Sequence, residues 1–215
     1  MKAKNIILNL FTLATAAGLV AGCASTGNDK AASTACVLTE SSRMITKGNT
    51  LIDQSLAALN DLVSNPQPNL RKQLKTFNSS VDELGSTATD VSGKAANMKI
   101  QGAAYFAKWD LEAATIQNED IRNRSEDRKN EVASRFGRIS QQYDETKIAF
   151  APFMSDLRDV QKFLSTDLTA GGLAAIKDTA AKAVSDAVPV KESLAKLSDE
   201  FKGLGLSMSP TTPVK

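Results

Sequence analysis

The strongest chemical signal in the chain is Leu19-Val20-Ala21-Gly22-Cys23, where a thiol follows two residues small enough to let a peptidase reach the preceding bond. Lys2 and Lys4 supply a positive leader and Ile6 to Ala17 an apolar run, so residues 1–22 read as a lipoprotein signal peptide and Cys23 as the acyl acceptor. Acyl chains on Cys23 would anchor the protein durably once there is more than one of them, because each buried methylene contributes about 0.8 kcal/mol and a single chain holds only marginally. Ala24 stands where aspartate would signal retention at the inner membrane, which favours the outer membrane, with the protein facing the periplasm. The competing reading is an ordinary secretory leader with a chance cysteine.

Past Cys23, reactive groups are sparse. There is no histidine, which removes the commonest general base and the commonest metal ligand together. Glu112, Glu119, Asp120, Glu126 and Asp127 offer paired carboxylates, but acid–base work needs one of them desolvated, and Arg122, Arg124 and Arg128 stand close enough in sequence to neutralise them. Ser125 has no imidazole to activate it. Tyr105 and Trp109, four residues apart, suit core knobs better than a ligand cage. Gly171-Gly172 reads as a helix stop rather than a phosphate cradle. The chain is therefore expected not to be an enzyme, to hold no cofactor or metal, and to take no small-molecule substrate. Arg122, Arg124, Ser125 and Arg128 form a candidate interaction tip. Losing Lys2 and Lys4 with the leader takes the basic count from 26 to 24, equal to the 24 acidic side chains, and a balanced surface argues against nucleic acid as a partner. Cys36 remains as a free thiol or an intermolecular disulfide.

The elements that must carry these residues are helices. Leu70, Leu74, Phe77, Val81, Leu84, Ala88, Val91, Ala95, Met98, Gly102, Tyr105 and Trp109 recur at alternating intervals of four and three, the seam of a helix that packs on another helix. Val132, Phe136, Ile139 and Tyr143, then Phe150, Phe153, Leu157, Val160 and Leu164, form a second seam. Leu173, Ile176, Ala180, Ala183, Ala187, Val190, Leu194, Leu197, Phe201 and Leu204 form a third. A looser stripe of Ile45, Ile52, Leu56, Leu59 and Val63 marks a first helix. These patterns predict an all-α, elongated antiparallel helical bundle or coiled-coil hairpin without strands. Its four helices are expected at about 38–64, 70–117, 124–168 and 173–204, within a single domain over 38–206. Residues 23–37 are expected to be a flexible tether, and 207–215 a disordered tail. Asn65-Pro66-Gln67-Pro68-Asn69 and Thr169-Ala170-Gly171-Gly172 are turns, and Pro152 and Pro189 should kink their helices.

At 117–131 the seam fails. A corner at 118–123, with Asn118 as the N-cap and Glu119 and Asp120 on the positive helix end, is favoured over one uninterrupted helix. The corner implies four helices at one end and a two-helix stalk at the other, with the leader emerging towards the stalk. Glu112 would then sit in the seam, where Arg124 or Arg128 of the returning helix is its expected partner.

Tyr105-Phe106-x-x-Trp109-x-x-Glu112, Ile116-x-Asn118, Arg122-x-x-Ser125-x-x-Arg128, and Pro152 leading to Leu157-Arg158-Asp159 and Phe163-Leu164 resemble an uncharacterised bacterial family known only as a domain of unknown function. The resemblance covers roughly residues 70–200, and Glu40 to Leu62 departs from its pattern. It implies a helical fold and an envelope location, and it brings no catalytic residues with it.

Together these features point to a non-catalytic outer-membrane lipoprotein that serves as a helical scaffold, spacer or protein-interaction module. Its partners would be the membrane, through lipid on Cys23, and an envelope protein or a second copy, through the helical seams. The alternative is a membrane-active or lipid-binding helical protein, in which the alanine-rich stretch from Leu173 to Val188 inserts into a bilayer; its mixed polar face of Lys177, Asp178, Lys182 and Asp186 weighs against that.

Overall fold

The computed structural model describes residues 27–209, and among them there are five helices and no strand. They are α1 (Gly27–Ser64), α2 (Leu70–Ala113), α3 (Glu119–Thr166), the short α4 (Ala170–Ala175) and α5 (Lys177–Met208). The leader, Cys23 and residues 210–215 lie outside the described residues.

The four long helices run up, down, up and down. α1 packs on α2 and α5, and α3 packs on the same two helices, so α1 and α3 face each other across a diagonal, as do α2 and α5. Sequence neighbours are therefore antiparallel partners, as short connections require. One end of the body carries the turns at 65–69 and 167–176. The other end carries the start of α1, the end of α5 and the α2–α3 corner.

The expected tether is a helix from Gly27 onward. Ala31, Thr34, Leu38, Ser41, Ile45, Gly48, Ile52, Ser55, Leu59 and Leu62 alternate at three and four residues, and all are buried. Every second member of this seam before Leu62 is Thr, Ser or Gly, which conceals the heptad from an apolar count. Two of the hydroxyls are satisfied on their own helix, Thr34 donating to the Lys30 carbonyl and Ser41 to the Val37 carbonyl, each at 2.8 Å, whereas the buried Ser55 hydroxyl has no partner among the described residues. Cys36 consequently sits exposed on a packed helix, not in a loose leader.

The extra turns of α1 shorten the expected stalk. Ala31 and Ala35 share a core cluster with Tyr105, Val132 and Met208, so four helices pack almost to the corner. The corner itself lies at 114–118, earlier than the expected 118–123. α2 stops at Ala113, and the Thr115 hydroxyl bonds the Glu112 carbonyl at 2.7 Å. Asn118 then caps α3, accepting from the Ile121 N–H at 3.1 Å, so residues 119–123 are helical.

At the opposite end, Gly171 and Gly172 lie inside α4 instead of stopping a helix. Thr169 caps α4 through the Gly172 N–H at 3.2 Å. A β-carbon on Gly172 would fall 2.2 Å from the Asp167 carbonyl oxygen, which is why this position has no side chain. The break at Ile176 separates α4 from α5, so the expected fourth helix is two, and α5 runs to Met208, past the expected start of the tail. Pro152 and Pro189 both lie within helices. No described helix is long and apolar enough to cross a membrane.

Candidate functional site

Two places concentrate features that could act on another molecule: the end of the α2–α3 hairpin and a cavity midway along the bundle.

The hairpin end gathers the residues expected to form the tip. Trp109 donates its indole N–H to the Ser125 hydroxyl at 2.8 Å, which fixes α3 against α2. Arg122 donates to the Ile116 carbonyl at 3.2 Å and so ties the corner to α3. Arg128 pairs with Glu131 and reaches the Ser207 carbonyl at 3.5 Å. Arg124 alone of the four makes neither a hydrogen bond nor an ion pair with its side chain among the described residues. Three of the four tip residues therefore brace the structure. Leu111 and Ile121 are 69% and 56% exposed beside them, an apolar contribution that charge patterning did not reveal.

Glu112 is only partly buried and meets Lys108 on its own helix at 3.7 Å. Asp110 pairs across the hairpin with Lys129 at 2.6 Å, and this hydrogen bond raises the Lys129 pKa above its usual value. Tyr105 packs against Phe106 and Trp109 at ring separations of 5.4 and 5.3 Å, as a core knob does. Burial raises its phenol pKa, and the nearby Arg128 partly opposes the shift. Among the described residues no group of His, Cys, Asp and Glu is arranged to hold a metal ion.

The cavity follows from small residues meeting at one level of the bundle. Gly48 on α1, Gly85 and Ala88 on α2 and Ala151 on α3 line one cleft that runs from the buried Gly48 to the exposed Ala151, and a β-carbon built on Gly48 would touch nothing within 4 Å. The unfilled space measures about 600 Å³ and opens between α2 and α3. Ile45, Ile52, Leu84, Phe150, Leu194 and Leu197 supply most of its apolar wall. It lies where the two core clusters of the bundle adjoin. On one side α2 and α3 are joined by Gln161, which donates to the Asn78 carbonyl at 3.2 Å and to Asp82 at 3.3 Å. On the other side Lys99 pairs with Asp144 at 3.2 Å.

Polar side chains line part of this cavity, among them Thr87, Thr89, Ser92, Tyr143, Thr146 and Ser155. Thr146 is satisfied by the Gln142 carbonyl at 2.7 Å and by Ser193 at 2.6 Å. Thr87 and Tyr143 also line the cavity and are only 5% and 9% exposed, yet neither hydroxyl has a hydrogen-bond partner among the described residues. At the mouth stand Lys147, Arg158 and Asp159. The Arg158 guanidinium crosses from α3 to lie over the Gly85 backbone, with Nη2 at 3.1 Å from where a β-carbon there would be. It makes no ion pair among the described residues.

Sequence reasoning missed this site. Ala88 read as one more position of the Leu70 to Trp109 seam, and Gly48 fell in the helix whose seam was obscured. The signal was present in Thr34, Ser41, Gly48 and Ser55, seven residues apart, with a glycine opposite Gly85 and Ala88.

The model of one protein family, described as "Protein of unknown function (DUF2959)", matches residues 26–200. No curated protein and no solved structure matches the chain.

Proposed function

The chain belongs to this family of proteins of unknown function, and from that premise we propose that it is a non-catalytic lipoprotein of the outer membrane, acylated at Cys23 and facing the periplasm. Its helical body acts there as a spacer and scaffold for another envelope protein. The observation that carries this reading is α1. The helix starts four residues after Cys23 and continues for 38 residues, about 57 Å at 1.5 Å per residue, packed on α2 and α5. A packed helix so close to the acyl site makes a strut, where a flexible tether would leave the distance from the bilayer undefined.

The same geometry orients the body. The start of α1 and the α2–α3 corner share one end, so Leu111, Ile121, Arg122 and Arg124 would face the bilayer while the turns at 65–69 and 167–176 point away from it. Insertion of Leu173 to Val188 into lipid is the weaker reading, because Leu173, Ile176, Ala180, Ala183 and Ala187 belong to the bundle core and would have to leave it.

Fractionation and in-cell photocrosslinking test the proposal. The wild-type protein should co-sediment with outer membranes, and Cys23→Ser should release it. A photoreactive residue at Gln67 should give protein adducts, and one at Arg124 lipid adducts. A wild-type protein found free of membranes, or a Cys23→Ser protein that remains bound, would refute the anchor. Protein adducts absent from Gln67 and from other positions around the 65–69 turn would refute the scaffold.

A further inference from the structure

We infer that the cavity between α2 and α3 is a binding site for one long-chain fatty acid, with the acyl chain inside the bundle and the carboxylate on Arg158. This inference is independent of the anchor and of the scaffold role.

At the buried Gly48, where a β-carbon would meet nothing within 4 Å, the bundle falls short of the near-crystalline packing of protein interiors. A space of about 600 Å³ is within the ~300–1,000 Å³ of pockets that enclose small ligands. Its shape favours a chain over a compact ring system. On α3 the lining runs from Tyr143 to Asp159, a span of about 24 Å at 1.5 Å per residue. At roughly 30 Å³ for each water-sized group, the volume takes on the order of twenty such groups, the bulk of one long acyl chain.

Charge then selects the head group. Arg158 stands at the mouth without an ion-pair partner among the described residues, and guanidinium binds carboxylate through two parallel hydrogen bonds. Gly85 lets that side chain lie flat across the opening, since any β-carbon there would crowd Nη2 and the Met154 methyl at 3.1 and 3.3 Å. Lys147 adds a second cation to the rim, and Asp159 disfavours a head group of higher negative charge.

Calorimetric titration and native mass spectrometry of the full chain carrying Cys23→Ser, stripped of lipid, test the site with oleate as the probe. That substitution removes any acyl group of the protein's own. One oleate should bind per chain, octanoate at least tenfold more weakly, and Arg158→Gln should weaken oleate by about tenfold or more through loss of the charge-assisted pair. Gly48→Leu fills space that is open in the native fold, so it should abolish binding while keeping the melting temperature at or above that of the parent. Ala88→Leu provides a second block from α2. The proposal fails if oleate does not bind, or if it binds Gly48→Leu and Ala88→Leu as well as the parent. It also fails if oleyl alcohol or a lysophospholipid binds more tightly than oleate, or if Arg158→Gln leaves the affinity unchanged.

Discussion

A single methyl group added at Gly102 should cost the bundle more than the helix gains from it. A β-carbon there would stand 2.3, 2.6 and 3.0 Å from three carbons of the Phe136 ring, well inside ordinary contact. The ring must retreat by about an ångström, but it is 8% exposed and held edge-on against Phe106, with centroids 5.8 Å apart and planes at 88°. Displacing it forfeits an aromatic pair of about 0.5–1.5 kcal/mol and adds overpacking strain of about 1–3 kcal/mol. Replacing glycine by alanine in a helix returns about 1 kcal/mol. Gly102→Ala should therefore lose roughly 1–3 kcal/mol, and the melting temperature should fall by about 2–4 °C for each of these. Gly93 is the control, since a β-carbon there meets nothing within 4 Å, and Gly93→Ala should gain up to about 1 kcal/mol. Thermal and urea unfolding followed by circular dichroism measure both. Adding Phe136→Leu to Gly102→Ala should recover part of the loss. If Gly102→Ala is as stable as Gly93→Ala, the ring does not constrain the position and the reasoning is wrong.

Two further perturbations probe other parts of the core. Because burial raises the Tyr105 phenol above its usual 10.0, the native state holds that proton more tightly than the unfolded chain. The resulting stability is complete below about pH 10 and is lost as pH rises through the native pKa; urea midpoints measured on both sides of that value should fall more for the wild type than for Tyr105→Phe. Ser198 bridges α5 to α1 through Ser42 Oγ at 2.9 Å and the Ser42 carbonyl at 3.1 Å, both buried, and through the partly buried contact to Thr46 Oγ1 at 3.1 Å. Ser198→Ala should cost about 1–2 kcal/mol, and a urea midpoint equal to wild type would show that the bridge contributes nothing.

What the residues revealed in advance depended on how apolar each seam was. α2, α3 and α5 carry Leu, Phe, Val and Tyr at heptad positions, so their existence and antiparallel pairing could be read directly. Asn118 announced the α3 cap, although the preceding turn was misplaced because Ala114 and Thr115 look as helical as their neighbours. The first third of α1 escaped because Thr34 and Ser41 satisfy their hydroxyls on their own helix, a local bond that composition does not display. Arg122, Ser125 and Arg128 were located as a group, but their bonds to Ile116, Trp109, Glu131 and Ser207 depend on where the helices turn back. The cavity was the least legible feature, since it requires four small residues on three helices to meet at one level.

The placement of the start of α1, the end of α5 and the corner at one pole has a practical consequence. A guest protein spliced between Asn65 and Asn69 would ride at the opposite pole, roughly the length of α1, about 57 Å, from the first turn of that helix. One fused behind Ser209 would be crowded beside the corner. A fluorescent label at each of the two sites, paired with a dye in the bilayer, would thus turn the protein into a ruler for its own standing height.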